Sequence, residues 1–138
     1  MRVTGRSIVI FVAVVGALAF VAGWFVTGEV RSTARRTDGR VRALAMAIEA
    51  WAAAHGGDMP MSEAQLRSGA AAAQGPEVEA ALHDLQVRWP PDPNHAPILG
   101  ANGLPTGIGS LPAANERLRS LARASAAAGA GQVPSAAP

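Results

Sequence analysis

The chain has 138 residues, enough for one small domain, and its formal net charge at neutral pH is only +2. It contains no cysteine, which excludes disulfides and metal sites built from thiolates. Its cationic side chains other than histidine are twelve arginines, balanced by ten acidic residues. This even balance argues against a nucleic-acid-binding protein, so no nucleic acid is expected as a partner.

An uncharged apolar segment covers residues 7–28 near the N-terminus. As a helix it would span roughly 33 Å at about 1.5 Å per residue, and a bilayer core is about 30 Å thick. An indole ring suits the membrane interface, and one lies near the end of this segment. The segment predicts a transmembrane anchor over residues 1–28. The residues that mark its span are Ser7, Phe11, Gly16, Phe20, Gly23, Trp24 and Gly28.

A cleaved signal peptide is the alternative interpretation of this segment. The apolar region of a signal peptide is shorter, typically about 7–15 residues, and ends in small residues. Here Trp24, Phe25 and Val26 continue the apolar run beyond Gly23, which favours an uncleaved anchor.

Arginines on both sides of the span bear on its orientation. Arg2 and Arg6 precede it, and a larger group follows it: Arg31, Arg35, Arg36, Arg40 and Arg42. By the positive-inside rule alone, the C-terminal part of the chain would face the cytoplasm.

Residues 30–55 contain no helix breaker except Gly39. Their apolar and aromatic residues recur at spacings of three and four, which is one face of a helix. These residues are Val41, Leu44, Ile48, Trp51 and His55. The membrane helix is therefore predicted to continue as a long amphipathic helix. It should end at Gly56 and Gly57, because glycine adopts the left-handed conformation at a helix C-terminus.

Two polar features of this helix carry their own expectations. Asp38 precedes Arg42 by four residues, which favours a helical ion pair. His55 is expected to cap the last turn, and the alternative is a metal or acid–base role. The other histidines, His83 and His95, are far away in sequence and do not form a helical metal-binding pair. We therefore predict no metal, no cofactor and no catalytic residue.

Two short helices follow. Ser62 as N-cap and Gln65 three residues later form a capping-box pattern, and this helix should end near Gly69. Pro76 suits the first position of the next helix. Its apolar face consists of Val78, Leu82 and Leu85.

Four prolines among residues 88–97 forbid a helix and predict a loop that carries Trp89. Asp92, Asn94 and His95 are possible metal ligands in this loop. Turn chemistry is the preferred interpretation, because Asp and Asn beside proline favour turns.

The rest of the chain predicts little sheet. The turn signal Asn102–Gly103, between residues 98–99 and Leu104, predicts at most a short hairpin. A last helix should begin at Leu111, with Arg117, Arg119 and Arg123 either solvated or facing lipid headgroups or an acidic partner.

Alanine, glycine, serine and proline dominate residues 125–138 and predict a flexible tail. The predicted fold is mainly α. A transmembrane helix continues into a long amphipathic helix, followed by a small helix- and loop-rich extramembrane domain. The predicted segments are an anchor over 1–28, an extramembrane domain over 29–124 and the tail over 125–138.

Residues 40–66, RVRALAMAIEAWAAAHGGDMPMSEAQL, resemble a segment of type IV pilin-like proteins, especially the major pseudopilin of type II secretion. Trp51 stands at the usual aromatic position, and Pro60 matches the proline after the helix end. The loop WPPDPN of residues 89–94 is similar to a loop of the same family. The family's peptidase site is absent: Arg6 follows Gly5, and Ile10 stands where the family carries a glutamate.

The resemblance implies a non-enzymatic, single-pass structural subunit of the bacterial inner membrane, with its C-terminal part outside the cytoplasm. Its partners would be membrane lipid and other transmembrane helices or subunits of a filament or complex. The alternative is an accessory single-span subunit of a larger complex (respiratory, photosynthetic or secretion), and a module released by signal peptidase is a third. We expect docking or packing through Val41, Leu44, Ile48, Trp51 and Trp89.

Overall fold

The computed structural model describes residues 5–69, 75–95 and 97–130, with side chains from residue 12 onward. Within these ranges the chain is mainly helical, as predicted, and also has two very short strands. The elements are α1 (Gly5–Ala54), α2 (Glu63–Ser68), α3 (Pro76–Asp84), β1 (Gln86–Val87), β2 (Leu99–Gly100) and α4 (Ser110–Ala130). The chain divides into two compact units, Met1–Thr33 and Ala34–Pro138. We refer to the described part of the second unit as the helical domain.

The end of helix α1 matches the glycine signal in the sequence. The backbone N–H of Gly57 donates to the carbonyl oxygen of Ala52 at 2.8 Å, and Gly56 has a φ of 69°. A left-handed residue followed by this backward hydrogen bond is the arrangement that closes many helices, because it satisfies a carbonyl that the helix leaves free.

The starts of α2 and α3 also follow local sequence signals. The side-chain oxygen of Ser62 accepts a hydrogen bond from the backbone N–H of Gln65 at 3.2 Å. The Gln65 side chain reaches back to the N–H of Met61, one residue earlier than in the usual capping box. Pro76 occupies the start of α3. The short helices are therefore specified by residues inside or next to them.

The Asn102–Gly103 signal forms a turn, in which the N–H of Leu104 donates to the carbonyl oxygen of Ala101 at 2.9 Å, but Leu104 is not part of a strand. Strand β1 pairs antiparallel with β2, with Gln86 opposite Gly100 and Val87 opposite Leu99. The N–H and C=O of Leu99 point away from β1 and bind the side chain of Asn115. Both edges of β2 are thus occupied, so the segment after Gly103 has no free edge to join.

The core of the helical domain is one cluster of buried apolar side chains from the four helices, β2 and the adjoining loops. Helix α1 supplies the largest share, and the other elements pack around its C-terminal part. The largest apolar side chains that are fully buried are Leu44, Ile48, Leu66, Ile98, Leu99 and Leu118. Burial of this set is the main favourable term in the folding of the domain.

Helix α4 is longer than the sequence pattern suggested. It begins at Ser110 and continues to Ala130, six residues into the segment predicted as a tail. Alanine has the highest helix propensity of all residues, so the alanine-rich sequence after Ser125 extends the helix. The rest of the predicted tail, residues 131–138, lies outside the described residues.

Candidate membrane anchor and interaction surfaces

The N-terminal part of α1 exposes large apolar side chains all around its axis. Phe20, Trp24 and Phe25 are each more than two-thirds exposed. Among the described residues, α1 alone is long and apolar enough to cross a membrane; its most apolar window has a mean hydropathy of 1.7 and no buried part. A soluble core helix would bury such a surface, so this segment is compatible with a single-pass membrane protein.

Five residues predicted to mark the span are helical and exposed: Gly16, Phe20, Gly23, Trp24 and Gly28. Ser7 and Phe11 also belong to α1, but their side chains lie outside the described ones. The hydroxyl of Thr27 donates to the carbonyl oxygen of Gly23 at 2.7 Å. This bond satisfies a polar group within the helix itself, as a lipid environment requires.

The predicted docking face on α1 is part of the domain's own core. Val41, Leu44 and Ile48 are 1% exposed or less, and Trp51 is 8% exposed. Trp89 is half-buried and packs against the same cluster. Packing within the core is therefore the role that the structure gives these side chains, which is one of the two roles expected for them. The other elements of the domain already cover them.

Trp51 connects the end of α1 to α2. Its indole N–H donates to the carbonyl oxygen of Gln65 at 3.1 Å. Its ring stacks on the imidazole of His55, with the two centroids 3.7 Å apart and the planes inclined by 8°. A Cβ at Gly69 would overlap the edge of this indole ring. Gly69 therefore serves close packing as well as ending α2.

We expect Gly69→Ala to lower the free energy of unfolding by about 1–3 kcal/mol, because the added methyl group overpacks the site. Urea unfolding of the full chain, followed by tryptophan fluorescence, would measure this change. Gly39→Ala is the matched control, since Gly39 lies in α1 with open space where a Cβ would stand. That variant should gain roughly 0.5–1 kcal/mol from the better helix former. Equal effects of the two substitutions would contradict a steric role for Gly69.

His55 has a local structural role. Its Nδ1 lies 2.8 Å from the carbonyl oxygen of Trp51, and its ring covers one face of the indole. The side chain thus joins the last turn of α1, as predicted. Among the described residues there is no cluster of three or more His, Cys, Asp or Glu side chains placed to hold a metal ion.

The proline-rich loop is built by turn chemistry around Asp92. One carboxylate oxygen of Asp92 accepts from the backbone N–H of Asn94 at 2.8 Å, and the other lies 2.6 Å from Nδ1 of His95. The preferred interpretation of these three residues as a turn is confirmed. The hydrogen bond from Asn94, followed by the contact with His95, lowers the pKa of the Asp92 carboxyl below its ordinary value.

NMR titration of the Asp92 carboxyl should therefore give a pKa below that of an ordinary aspartate. Because the folded-state pKa is lowered, this group stabilises the fold above its unfolded pKa, and the contribution is lost as pH falls through the folded pKa. In His95→Ala the pKa of the Asp92 carboxyl should rise part of the way towards its ordinary value, since the larger effect of the Asn94 N–H persists. An unchanged pKa in that variant would show that the His95 contact has no electrostatic effect.

Asn115 joins α4 to the strand segment and was not identified from the sequence. It is 5% exposed. Its side-chain oxygen accepts from the N–H groups of Ile98 and Leu99, both at 2.8 Å. Its amide group donates to the carbonyl oxygens of Leu99 at 2.9 Å and Leu111 at 3.1 Å. All four hydrogen bonds of the amide are made, so this buried polar side chain is fully satisfied.

Asp38 does not form the predicted ion pair with Arg42. Its Oδ1 accepts instead from the backbone N–H of Gly107 at 2.8 Å and from the hydroxyl of Ser110 at 2.5 Å. The carboxylate thus holds the turn that leads into α4, because two well-placed donors outcompete an exposed arginine. This turn projects Ile108 fully into solvent.

Ion pairs join the helices of the domain. Arg40 on α1 pairs with Asp84 at the end of α3. Arg67 on α2 contacts Glu63 at 2.7 Å and Glu79 of α3 at 2.5 Å, and the hydrogen bonds to both raise the pKa of the guanidinium. Arg40 therefore has a structural role and is not a free cation among the arginines that follow the apolar segment.

A groove runs between α1 and α4 on the surface of the helical domain, with a volume of about 450 Å³. Val41, Ala45 and Ala114 form its buried floor. The exposed side chains of Arg42 and Arg117 stand on its two walls, and neither has an ion pair within the described residues. We call this feature the α1–α4 groove.

Comparison with known proteins adds no relative: no family model, no curated protein and no solved structure matches this chain.

Proposed function

We propose that the chain is a non-enzymatic, single-pass structural subunit of the bacterial inner membrane, similar to pilins and pseudopilins. The observation that carries the proposal is the contrast along α1. Its N-terminal part exposes an apolar surface long enough to cross a bilayer, and no other part of the chain that the structure describes covers the most apolar stretch of this surface. Its C-terminal part is the central helix of a small domain core. One helix that serves as both anchor and core element suits a subunit held at a membrane.

The pilin likeness draws support from local features of the helical domain. Helix α1 ends just before Gly56, a buried Pro60 follows, and a short helix comes next. The tryptophan at position 51 is buried against that short helix through Gln65. These features follow the order of the motif that the resemblance rests on. In this proposal the C-terminal part lies outside the cytoplasm, against the arginine bias.

The second candidate is an accessory single-span subunit of a larger membrane complex. Ile10 favours it, because an apolar residue stands where a filament-forming pilin carries a glutamate. Under this proposal the partner is a complex of fixed composition, and the chain does not polymerise.

A topology reporter fused after Pro138 tests the anchor and its orientation together. The expected result is a chain that stays in the membrane pellet after an alkaline wash, with a reporter active only outside the cytoplasm. Cytoplasmic activity would overturn the pilin proposal and leave an adaptor on the inner leaflet. Release of the chain by the wash, with a shortened N-terminus, would instead show cleavage by signal peptidase.

Size measurement of the solubilised protein separates the two candidates. A pilin-like subunit should appear as polymers in sheared fractions. An accessory subunit should migrate at one high mass, in fixed ratio with other proteins. A monomer under both conditions would contradict both candidates.

A further inference from the structure

We propose that the α1–α4 groove binds an amphipathic segment of a partner protein whose polar side is acidic. The inference rests on the proposed function, because a subunit of a membrane assembly needs a surface for its neighbours. Leu44, Ile48 and Trp51 of the α1 face predicted for docking are covered by the core, and Val41 of that face lines the groove. Among the described residues, those that line the groove combine an apolar surface with arginine side chains that have no ion pair.

The floor of the groove suits an apolar side of the partner segment. It is formed by small aliphatic groups, Ala45 and Ala114 among them, which leave space between the two helices. Met46 lines the groove and is 57% exposed. Methionine is flexible and polarisable, and is common on surfaces that accept apolar partners. A volume of about 450 Å³ falls in the range of ligand-sized clefts, roughly 300–1,000 Å³.

The charge of the groove determines the polar chemistry of the partner. Arg42 on α1 and Arg117 on α4 line it and have no ion pair within the described residues. Asp38 is the acidic lining residue, and its Oδ1 already accepts two hydrogen bonds, from Gly107 and Ser110. The groove therefore offers two free guanidinium groups, and carboxylates are their complementary partners.

The apolar floor and the guanidinium groups together favour a segment with leucine-like residues on one side and carboxylates on the other. A second copy of this chain is a poorer occupant for a face-to-face contact across a two-fold axis. Such a contact places the same patch on both subunits, which would bring Arg42 and Arg117 towards their own counterparts. Like charges placed together disfavour such a contact.

The test uses the full chain in nanodiscs of zwitterionic lipid, with empty nanodiscs as the blank. The probe is a labelled synthetic helix of leucine and glutamate at amphipathic spacing, compared with its leucine and lysine counterpart. Fluorescence anisotropy should show saturable binding of the glutamate peptide. In Arg42→Glu/Arg117→Glu its Kd should rise at least about tenfold, and the lysine peptide should become the better ligand.

The matched control is Arg36→Glu/Arg123→Glu. It changes the net charge equally on the same two helices but touches no residue that lines the groove. Its Kd should stay within about threefold of the wild-type value, since rim charges act locally at physiological salt. Met46→Asp leaves both groove arginines in place. It should also weaken binding of the glutamate peptide, because it puts a negative charge into the apolar surface of the groove.

Three outcomes would overturn the proposal. The glutamate peptide could fail to bind. Both double variants could also weaken its binding equally, which would show that binding depends on net charge and not on the groove. Alternatively, the chain could form dimers without peptide, and these dimers could be lost in Arg42→Glu/Arg117→Glu. That result would show that a second copy of the chain occupies the groove. The membrane-pellet and reporter readouts do not involve the groove. Failure of the docking proposal is therefore distinguishable from failure of the anchor proposal.

Discussion

Replacement of Asn115 by alanine is expected to lower the free energy of unfolding of the helical domain by about 3–5 kcal/mol, because it leaves several buried backbone groups unpaired. The N–H groups of Ile98 and Leu99 would lose their acceptor, and the carbonyl oxygen of Leu99 would lose its donor. The strand segment and α4 would then be joined by apolar contacts alone. Urea unfolding of the full chain in detergent, followed by tryptophan fluorescence, would measure the loss.

Two further variants show whether hydrogen bonds cause this effect. Asn115→Leu keeps the branched shape of the side chain but leaves the same groups unpaired, so it should be about as unstable as the alanine variant. Asn94→Ala is the matched control, because Asn94 is exposed and makes its loop hydrogen bond through its backbone N–H. It should change the free energy of unfolding by less than about 0.5 kcal/mol. A stable leucine variant would show that packing alone holds α4 to the strand.

Trp51→Ala should lower the free energy of unfolding by about 3–5 kcal/mol, the usual range for a large aromatic residue in a core. The side chain is 8% exposed, stacks on His55 and donates to Gln65. The carbonyl oxygen of Gln65 still accepts from the hydroxyl of Ser68, so the cavity is the main cost. Thermal unfolding followed by near-UV circular dichroism would measure the change.

The chain offers a matched tryptophan for this experiment. Trp24 is 71% exposed and belongs to the other compact unit. Trp24→Ala should leave the unfolding of the helical domain unchanged within about 0.5 kcal/mol, as is usual for surface substitutions. An equal loss in both variants would show that unfolding reports detergent contacts of the anchor rather than the domain core.

Elements with local signals were predictable from the sequence. The end of α1 depends on Gly56 and Gly57, the start of α2 on Ser62 and the start of α3 on Pro76. In each case a single residue, or a few neighbouring ones, supplies the backbone conformation or the capping group. The apolar spacing on α1 likewise indicated which side of that helix is buried.

Features that depend on distant residues were not predictable in this way. The periodic face of α1 has the same pattern whether its own domain or a partner covers it. Asp38 had a favourable helical partner at Arg42, yet its bonds go to Gly107 and Ser110, about seventy positions later in the chain. Asn115 stands in a helical sequence with nothing that indicates burial. Strand β1 occupies one edge of β2 and Asn115 occupies the other, so β2 has no edge left for a hairpin with the segment after Gly103.

The late position of α4 in the chain has a consequence for biosynthesis. The core needs Leu118 and Ala122, whereas the α1 face that they help to cover is made much earlier. At about 5–20 residues per second, the ribosome takes roughly 4–14 s to pass from residue 51 to residue 122. During that interval Leu44, Ile48 and Trp51 have no complete cover. The domain can close only when nearly all of it has been synthesised, and until then the apolar face of its central helix lacks the cover that α4 provides.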